Sequence, residues 1–173
     1  MVEAREGTVQ LNALSRQAAT EALTRCCGAR RWVSTMLALR PFASRAAVFE
    51  AASAVWSSLG PDDFQEAFSH HPQIGGNIEQ LREKFASTAE LSLAEQGAAL
   101  GASEATLLEL RAGNEAYQER FGYSFIVCAT GKTAQEMLSL LQARLSNSPA
   151  LELDIAAAEQ AKITQLRLEN LGP

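Results

Sequence analysis

The sequence predicts an all-α protein, a single-domain bundle of about eight or nine helices with short loops and one extended apolar segment. Apolar residues recur at spacings of three and four along nearly the whole chain, which is the period of a helix face packed on a core. Glycine, proline and capping residues separate these periodic stretches. A length of 173 residues suits one domain with its own core, so we expect residues 1–173 to form a single domain.

The first half of the chain is predicted to form five helices. Gly28 and Pro41 end the first two, Ser44 is a typical N-cap for the third, and Pro61 suits the first position of the fourth. A fifth helix is expected after the fourth, and a loop-like stretch follows it. In order, these helices cover residues 12–26, 32–37, 44–59, 61–68 and 77–85, and the loop covers residues 86–101.

The second half is predicted to form three longer helices. They cover residues 107–121 and 133–145, with Thr133 as a cap, and a last stretch after Pro149. The residues of the last two helices expected to face the core are Met137, Leu140, Leu141, Leu145, Leu151, Ile155, Ala158 and Leu166.

A compact apolar run, Phe125–Ala129, lies between Gly122 and Gly131 and interrupts the helical pattern. Because no second convincing strand is present to pair with it, we expect an extended segment among helices. Its buried amides would then need other hydrogen-bond partners, and a bound ligand could supply them.

Composition excludes several classes of function. Hydrophobic residues make up 47% of the chain and charged residues 20%, as in globular proteins, and the net charge of −5 argues against binding to nucleic acid. No apolar run approaches the roughly 20 residues that a membrane span needs. The polar N-terminus lacks a signal region, and the C-terminus is not a peroxisomal address. Two adjacent cysteines, Cys26 and Cys27, and the distant Cys128 form neither a disulfide framework nor a zinc site. A cytoplasmic location is therefore predicted.

The stretch SHHPQIGG, residues 69–76, holds both histidines of the chain. A residue before proline is pushed out of the helical region, so His71 is expected just past a helix end with its ring directed into a cavity, while His70 stays in the helix and faces solvent. A helix C-terminus stabilises protonated imidazole, and an unperturbed pKa of about 6.5 suits proton transfer. The residues alone leave open the alternative of a surface histidine at a helix stop.

Two other segments carry polar candidates. Ser92 and Glu95 form a capping-box pattern, although Glu95 and Gln96 would also be placed to point into a pocket from that first turn. Arg167 would border the core or face water, and such arginines bind carboxylates or amide-like oxygens in a minority of cases.

Cofactor motifs are not recognised in the sequence. The stretch CATGKT lacks the first glycine of a P-loop, since that position is Ile126, and no Rossmann-type glycine pattern occurs. Adjacent histidines on a helix point about 100° apart and cannot easily bind one ion together. We therefore expect neither a cofactor nor a metal.

Together, four segments resemble the OHCU decarboxylase family, in which OHCU is 2-oxo-4-hydroxy-4-carboxy-5-ureidoimidazoline, the last unstable intermediate between urate and allantoin. The segments are FSHHPQIGG, SLAEQ, NEAYQERFGYSFIVCATGK and AAAEQAKITQLRLENL, in the family's order and approximate spacing. One histidine–proline pair would mean little, whereas four segments in order are specific. The resemblance covers nearly the whole chain.

The resemblance implies a set of site residues. The family's catalytic histidine precedes the proline, so it corresponds to His71 and not to His70, and Glu95 corresponds to its acidic partner. The interval between His71 and Glu95 is slightly long for the family. The residues implied to bind substrate are Pro72, Ser92, Glu95, Gln96, Phe125, Ile126, Val127, Cys128, Ala129 and Arg167.

The implied activity is a cofactor-independent carboxy-lyase reaction that converts OHCU to (S)-allantoin. The resemblance also implies a small-molecule substrate and a homodimer, and the absent peroxisomal tail suggests the bacterial branch. Two alternatives stay open from the residues: a non-catalytic all-α module that binds a partner through a groove, and a related hydrolase acting on 5-hydroxyisourate. The first requires an exposed apolar stripe, and the second would need more usable histidines than this chain has.

Overall fold

The structure, a computed structural model, describes residues 6–71 and 104–171, and every regular element in these ranges is a helix, as predicted. Eight helices lie in the described ranges, and no strand does. They are α1 (Glu6–Ala13), α2 (Arg16–Cys26), α3 (Arg30–Ala38), α4 (Arg45–Ser57), α5 (Pro61–Ser69), α6 (Glu104–Phe121), α7 (Ala134–Leu145) and α8 (Pro149–Glu169). The predicted helix at 77–85 and the predicted loop at 86–101 lie outside the described residues.

Capping residues decide where most of these helices begin. The hydroxyls of Ser44 and Thr133 accept hydrogen bonds from backbone amides in the first turns of α4 and α7, and α5 begins at Pro61, which confirms these three predicted starts. The predicted single helix over residues 12–26 is wrong. Ser15 caps α2 by accepting from the Ala18 amide, so the chain breaks between α1 and α2 at a residue that the apolar pattern ignored.

The chain divides into two compact units, residues 1–71 with 157–173 and residues 72–156, and α8 contributes to both. In the first unit, Trp32 and Trp56 are buried and each indole N–H finds a helix carbonyl. Trp32 Nε1 donates to the Ala52 oxygen at 3.1 Å, and Trp56 Nε1 donates to the Ala157 oxygen at 3.0 Å. Large aromatic rings thus fill the core without leaving a buried donor unpaired.

The core of the second unit forms around Tyr117. Its ring stands edge-on to that of Phe125 at 5.2 Å and lies 4.7 Å from that of Phe121, between ring centroids. Buried apolar residues of α6 and α7 complete this core, and they are Leu107, Leu110, Ala134, Met137, Leu138 and Leu141.

Residues 124–129 connect α6 to the turn before α7 and belong to neither helix nor strand. Phe125, Ile126 and Val127 are buried, whereas Cys128 and Ala129 are half-buried. The apolar run is therefore a core segment of the second unit that is held outside regular structure.

Three of the residues predicted to face the core are exposed. Leu140, Leu151 and Ala158 lie on the solvent side of their helices, and the buried residues of α8 are instead its neighbours Glu152, Ala156, Ala157, Gln160, Thr164 and Leu168. Within the ranges that the structure describes, no helix has the length and apolar character that crossing a bilayer requires.

Candidate active site

The end of α5 places the two histidines differently. His70 is the C-cap residue, with φ −83° and ψ −6°, and His71 follows it with its amide donating to the Phe68 oxygen at 3.1 Å. His70 is exposed, as predicted, and its ring lies against Gly28, where an added Cβ would be 2.3 Å from the ring. His71 is half-buried and turns away from the helical path, as expected of a residue that precedes a proline.

The imidazole of His71 contacts a buried amide. Its Nε2 lies 2.5 Å from Oε1 of Gln160 in α8, a side chain with 0% exposure. Gln160 Nε2 donates to Oγ1 of Thr164 at 3.1 Å, and Thr164 Oγ1 donates in turn to the Cys26 carbonyl at 3.4 Å. A continuous chain of hydrogen bonds therefore runs from His71 to the last turn of α2.

Arg167 reaches the same carbonyl. Its Nη1 donates to the Arg25 oxygen at 3.2 Å and to the Cys26 oxygen at 3.5 Å, so the guanidinium caps the C-terminal end of α2. We name His71, Gln160, Thr164, Arg167 and the Cys26 carbonyl the His71 cluster. It brings together two of the predicted site residues, His71 and Arg167.

A carboxylate from α5 holds the start of α3. Glu66 accepts from the Arg30 backbone amide at 3.0 Å and from Arg30 Nε at 2.5 Å, and Arg31 Nη1 pairs with Asp63 at 3.0 Å. The amide hydrogen bond, together with the Arg30 guanidinium, holds the pKa of Glu66 below its ordinary value. The helix that carries His70 at its end is thereby fixed to the N-terminus of its neighbour.

The thiols beside the His71 cluster are neutral packing groups. Cys26 and Cys27 are both buried and free, and burial raises the pKa of each thiol to about 11. Among residues 6–71 and 104–171, no group of three histidine, cysteine, aspartate or glutamate side chains is placed to hold a metal ion.

The second unit holds the segment Phe125–Ala129 through its carbonyl groups. Arg144 Nη1 donates to the Ile126 oxygen at 2.7 Å, and Lys132 Nζ donates to the Cys128 oxygen at 2.8 Å. Two cations thus bind alternate carbonyls of the segment that is expected to contact substrate.

Arg144 is itself paired with a fully buried carboxylate. Its Nε donates to Glu152 Oε1 at 2.7 Å, Asn147 donates to the other carboxylate oxygen at 2.9 Å, and the Tyr117 hydroxyl donates to Oε1. Burial and the hydrogen bond to Glu152 raise the pKa of Tyr117. We name Arg144, Glu152, Tyr117, Asn147 and the Ile126 carbonyl the Arg144 cluster.

Comparison with known proteins decides the family. The family model described as OHCU decarboxylase matches residues 12–169, which is most of the chain and spans both units. The chain belongs to the OHCU decarboxylase family.

Two curated relatives are named for uric acid degradation and for OHCU decarboxylation. The chain is 39% identical over 148 residues to the uric acid degradation bifunctional protein TTL of Arabidopsis thaliana, a match that covers 84% of this chain and 45% of that protein. It is 45% identical over 58 residues to the 2-oxo-4-hydroxy-4-carboxy-5-ureidoimidazoline decarboxylase of Amia calva, which covers 34% of this chain and 33% of that protein. Each match therefore spans less than half of the relative's own length.

Two solved structures share the fold. One, an OHCU decarboxylase crystallised in the presence of (S)-allantoin, is similar with a TM-score of 0.72 and 36% identity, over 88% of this chain and 96% of that one. A second, an (S)-allantoin synthase, has a TM-score of 0.70 at 17% identity, over 96% of this chain and 53% of that one, and supports the fold alone.

Four residues that the resemblance to OHCU decarboxylase assigns to the site, Pro72, Ser92, Glu95 and Gln96, lie outside the described residues. Conversely, Gln160 and Thr164 of the His71 cluster were not predicted from the sequence. Their signal was present, because two polar residues four apart on a long helix lie on one face.

Proposed function

We propose that this chain is a carboxy-lyase that converts OHCU to (S)-allantoin without a cofactor, with His71 as its acid/base. The observation that carries the proposal is the placement of His71: past the end of α5, half-buried, and hydrogen-bonded to the fully buried Gln160. An imidazole held in this way keeps one orientation while its charge can change near neutral pH. Family membership and the relatives named for urate degradation support the substrate class.

The chemistry asks little of the protein beyond binding and proton transfer. When the bond to the carboxyl carbon breaks, carbon dioxide leaves and the electron pair stays on a ring carbon, where the adjacent imine-like bond of OHCU delocalises it. The imine-like nitrogen takes up a proton, and the carbon that lost carbon dioxide is left as an enol. A proton then adds to the neighbouring ureido-bearing carbon while the enol hydroxyl gives up its proton and becomes a carbonyl, which gives allantoin. Substrates without such an internal electron sink depend on pyridoxal phosphate or thiamine to supply one.

Each remaining site residue has a proposed role in holding the ring. Glu95 hydrogen-bonds the hydroxyl or ureido group and fixes the orientation of the substrate relative to the His71 imidazole, and Ser92 and Pro72 bind substrate as well. Gln96, Arg167 and the backbone amides of the segment Phe125–Ala129 bind the polar ring edges. Binding of the Ile126 and Cys128 carbonyls by Arg144 and Lys132 supports the last role, because it fixes the backbone before substrate arrives.

The test compares His71→Asn with His70→Asn by circular dichroism of freshly generated OHCU. Proton delivery to one face produces one enantiomer, whereas spontaneous decay gives a racemate. We expect His71→Asn to lower the rate of (S)-allantoin formation by about 10²–10⁴-fold, the usual contribution of general acid–base catalysis.

His70→Asn is the matched control, because its side chain is exposed and carries the same chemical change. We expect it to keep the parent rate and the parent unfolding midpoint. Optically active allantoin formed by His71→Asn at the parent rate would reject the assignment, and a folded but inactive His70→Asn would show that the wrong histidine had been chosen.

The proposal also covers the cellular location, the oligomeric state and the number of domains. A cytoplasmic location is supported by three cysteines, Cys26, Cys27 and Cys128, that form no disulfide bond, and a homodimer is supported by the resemblance to the family. One domain is supported by a family match that runs from residue 12 to residue 169. Light scattering of the purified protein tests the dimer, and a single cooperative unfolding transition tests the single domain.

A further inference from the structure

We infer that Gln160 is a positioning residue for His71: its amide, oriented by Thr164, holds the imidazole with a proton on Nε2 and leaves proton exchange to Nδ1. The inference rests on the proposed role of His71 in OHCU decarboxylation and adds to it the nitrogen that works and the residue that selects it.

The argument starts from the direction of the hydrogen bonds. Thr164 Oγ1 donates its single proton to the Cys26 carbonyl, so toward Gln160 the hydroxyl can only accept. Gln160 therefore presents its NH₂ group to Thr164 and its carbonyl oxygen to His71. A carbonyl oxygen accepts only, so the His71 Nε2 at 2.5 Å must carry a proton.

Burial gives this arrangement its force. Gln160 has 0% exposure and Thr164 has 5%, so reversing the amide would place two acceptors or two donors face to face without water to relieve them. The charge on the cluster comes from Arg167, which donates to the same Cys26 carbonyl, while the thiols of Cys26 and Cys27 stay neutral at pH 7. The neutral amide therefore selects the tautomer of His71, and the charge of the ring changes at Nδ1.

Nitrogen-15 NMR of the imidazoles tests this directly, because the chain has only two histidines and a His70→Asn variant assigns the pair. In the parent protein we expect the His71 Nε2 resonance to stay in the protonated range throughout a pH titration, while the Nδ1 resonance moves. An unprotonated Nε2 in neutral His71 would overturn the inference.

Two substitutions at Gln160 should move the His71 pKa in opposite directions. Gln160→Glu puts a carboxylate on Nε2–H and is expected to raise the measured pKa by about 1–3 units. Gln160→Met keeps the length and removes the acceptor, so the measured pKa is expected to fall. Should Gln160→Glu fail to fold, the Gln160→Met titration decides alone.

Gln165→Glu is the matched control. It makes the same change on the same helix, but Gln165 bonds Ser53 and lies about 140° around the helix from Gln160. We expect it to move the His71 pKa by less than about 0.3 unit, because solvent screens a charge that faces away. A shift as large as that of Gln160→Glu, or no shift in either Gln160 variant, would contradict the inference.

The pH dependence of kcat/KM separates this inference from the proposed function. If the NMR pKa moves with Gln160→Glu or Gln160→Met and the rate profile moves with it, both stand. If the NMR pKa moves while the rate profile does not, Gln160 still positions His71 but His71 is not the acid/base. If the NMR pKa does not move, the inference fails whatever the activity.

Discussion

In the first unit, the neutral Gln160 contacts His71 and is itself bonded to the neutral Thr164, whereas in the second unit Arg144 and Glu152 form a buried ion pair. Both arrangements give buried polar atoms their hydrogen-bond partners, but the two clusters have different roles. The Arg144 cluster surrounds its carboxylate with donors and holds a backbone segment. The His71 cluster contains a ring whose ordinary pKa, about 6.5, lets it change charge near neutrality.

A buried ion pair and a titratable ring need different surroundings. Removing either Arg144 or Glu152 would leave an unpaired charge in the core, which is costly. A neutral amide beside His71 accepts from the ring in either charge state, so the ring can titrate without disrupting its support. We expect loss of the Arg144 cluster to lower stability and loss of the His71 cluster to lower mainly the rate of the reaction.

The largest expected effect is on the Arg144 cluster. Arg144→Met removes the guanidinium, leaves the Glu152 carboxylate without its cation and frees the Ile126 carbonyl. Removing one partner of a buried ion pair costs about 3–5 kcal/mol, so we expect the free energy of unfolding to fall by that amount in urea titrations.

Arg111→Met is the control, because Arg111 pairs with Glu115 across one turn of α6 with both side chains in solvent. Such exposed pairs contribute about 0.3–0.5 kcal/mol. Equal small losses in the two variants would show that the buried pair is not what stabilises the second unit.

Next in size is the neutral chain of the first unit. Thr164→Val keeps the shape of the side chain but removes the acceptor of Gln160 Nε2 and one donor to the Cys26 carbonyl. The Gln160 amide proton is then buried without an acceptor, which costs about 1–3 kcal/mol. We expect the free energy of unfolding to fall by an amount near the low end of this range, because Arg167 still donates to the Cys26 carbonyl.

Thr35→Val is the control for the loss of a threonine hydroxyl, since Thr35 is exposed and bonds only within its own helix, to the Arg31 oxygen at 2.7 Å. We expect its unfolding midpoint to stay close to that of the parent. A loss for Thr164→Val as large as that for Arg144→Met would break the distinction between the two units.

Helix positions followed from the sequence because their signals are local. A serine, threonine or proline at a helix start acts through atoms within three or four residues, so Ser44, Pro61 and Thr133 were readable without any tertiary information. The end of α5 was readable for the same reason, since the residue after His71 is a proline.

The inner face of α8 could not be predicted in this way. The apolar pattern selected Leu151, which is 49% exposed, while its neighbour Glu152 is fully buried. The polar residues on the buried face find partners far away in the chain: Gln160 bonds a histidine 89 positions earlier, and Glu152 bonds Tyr117. Hydrophobic periodicity carries no information about such pairs, so the histidine–proline pair and the resemblance to the family, and not the apolar pattern, directed attention to His71.

The smallest expected effect is at Glu66, a carboxylate that binds the start of α3. Glu66→Gln removes the charge at the N-terminus of α3 but keeps an acceptor for the Arg30 amide, and the Arg30 side chain is 90% exposed, so we expect a loss below about 1 kcal/mol at pH 7. The pKa of Glu66 is lowered by the Arg30 amide and guanidinium. Its stabilisation is therefore complete above the ordinary glutamate pKa and is lost as the pH falls through the lowered pKa. Thermal unfolding of parent and variant across acidic pH measures this difference.

Two further variants test whether the effect depends on the carboxylate being at a helix start. Glu136→Gln removes the capping carboxylate of α7 in the second unit, whose pKa is lowered by the Thr133 amide and hydroxyl, so its effect should fade in the same direction as the pH falls. Glu50→Gln, at an exposed position of α4, controls for the loss of one surface charge and should change little. A Glu66→Gln deficit that grows as the pH falls would mean that the carboxylate is held in its protonated form, and the hydrogen bonds from Arg30 would then need another explanation.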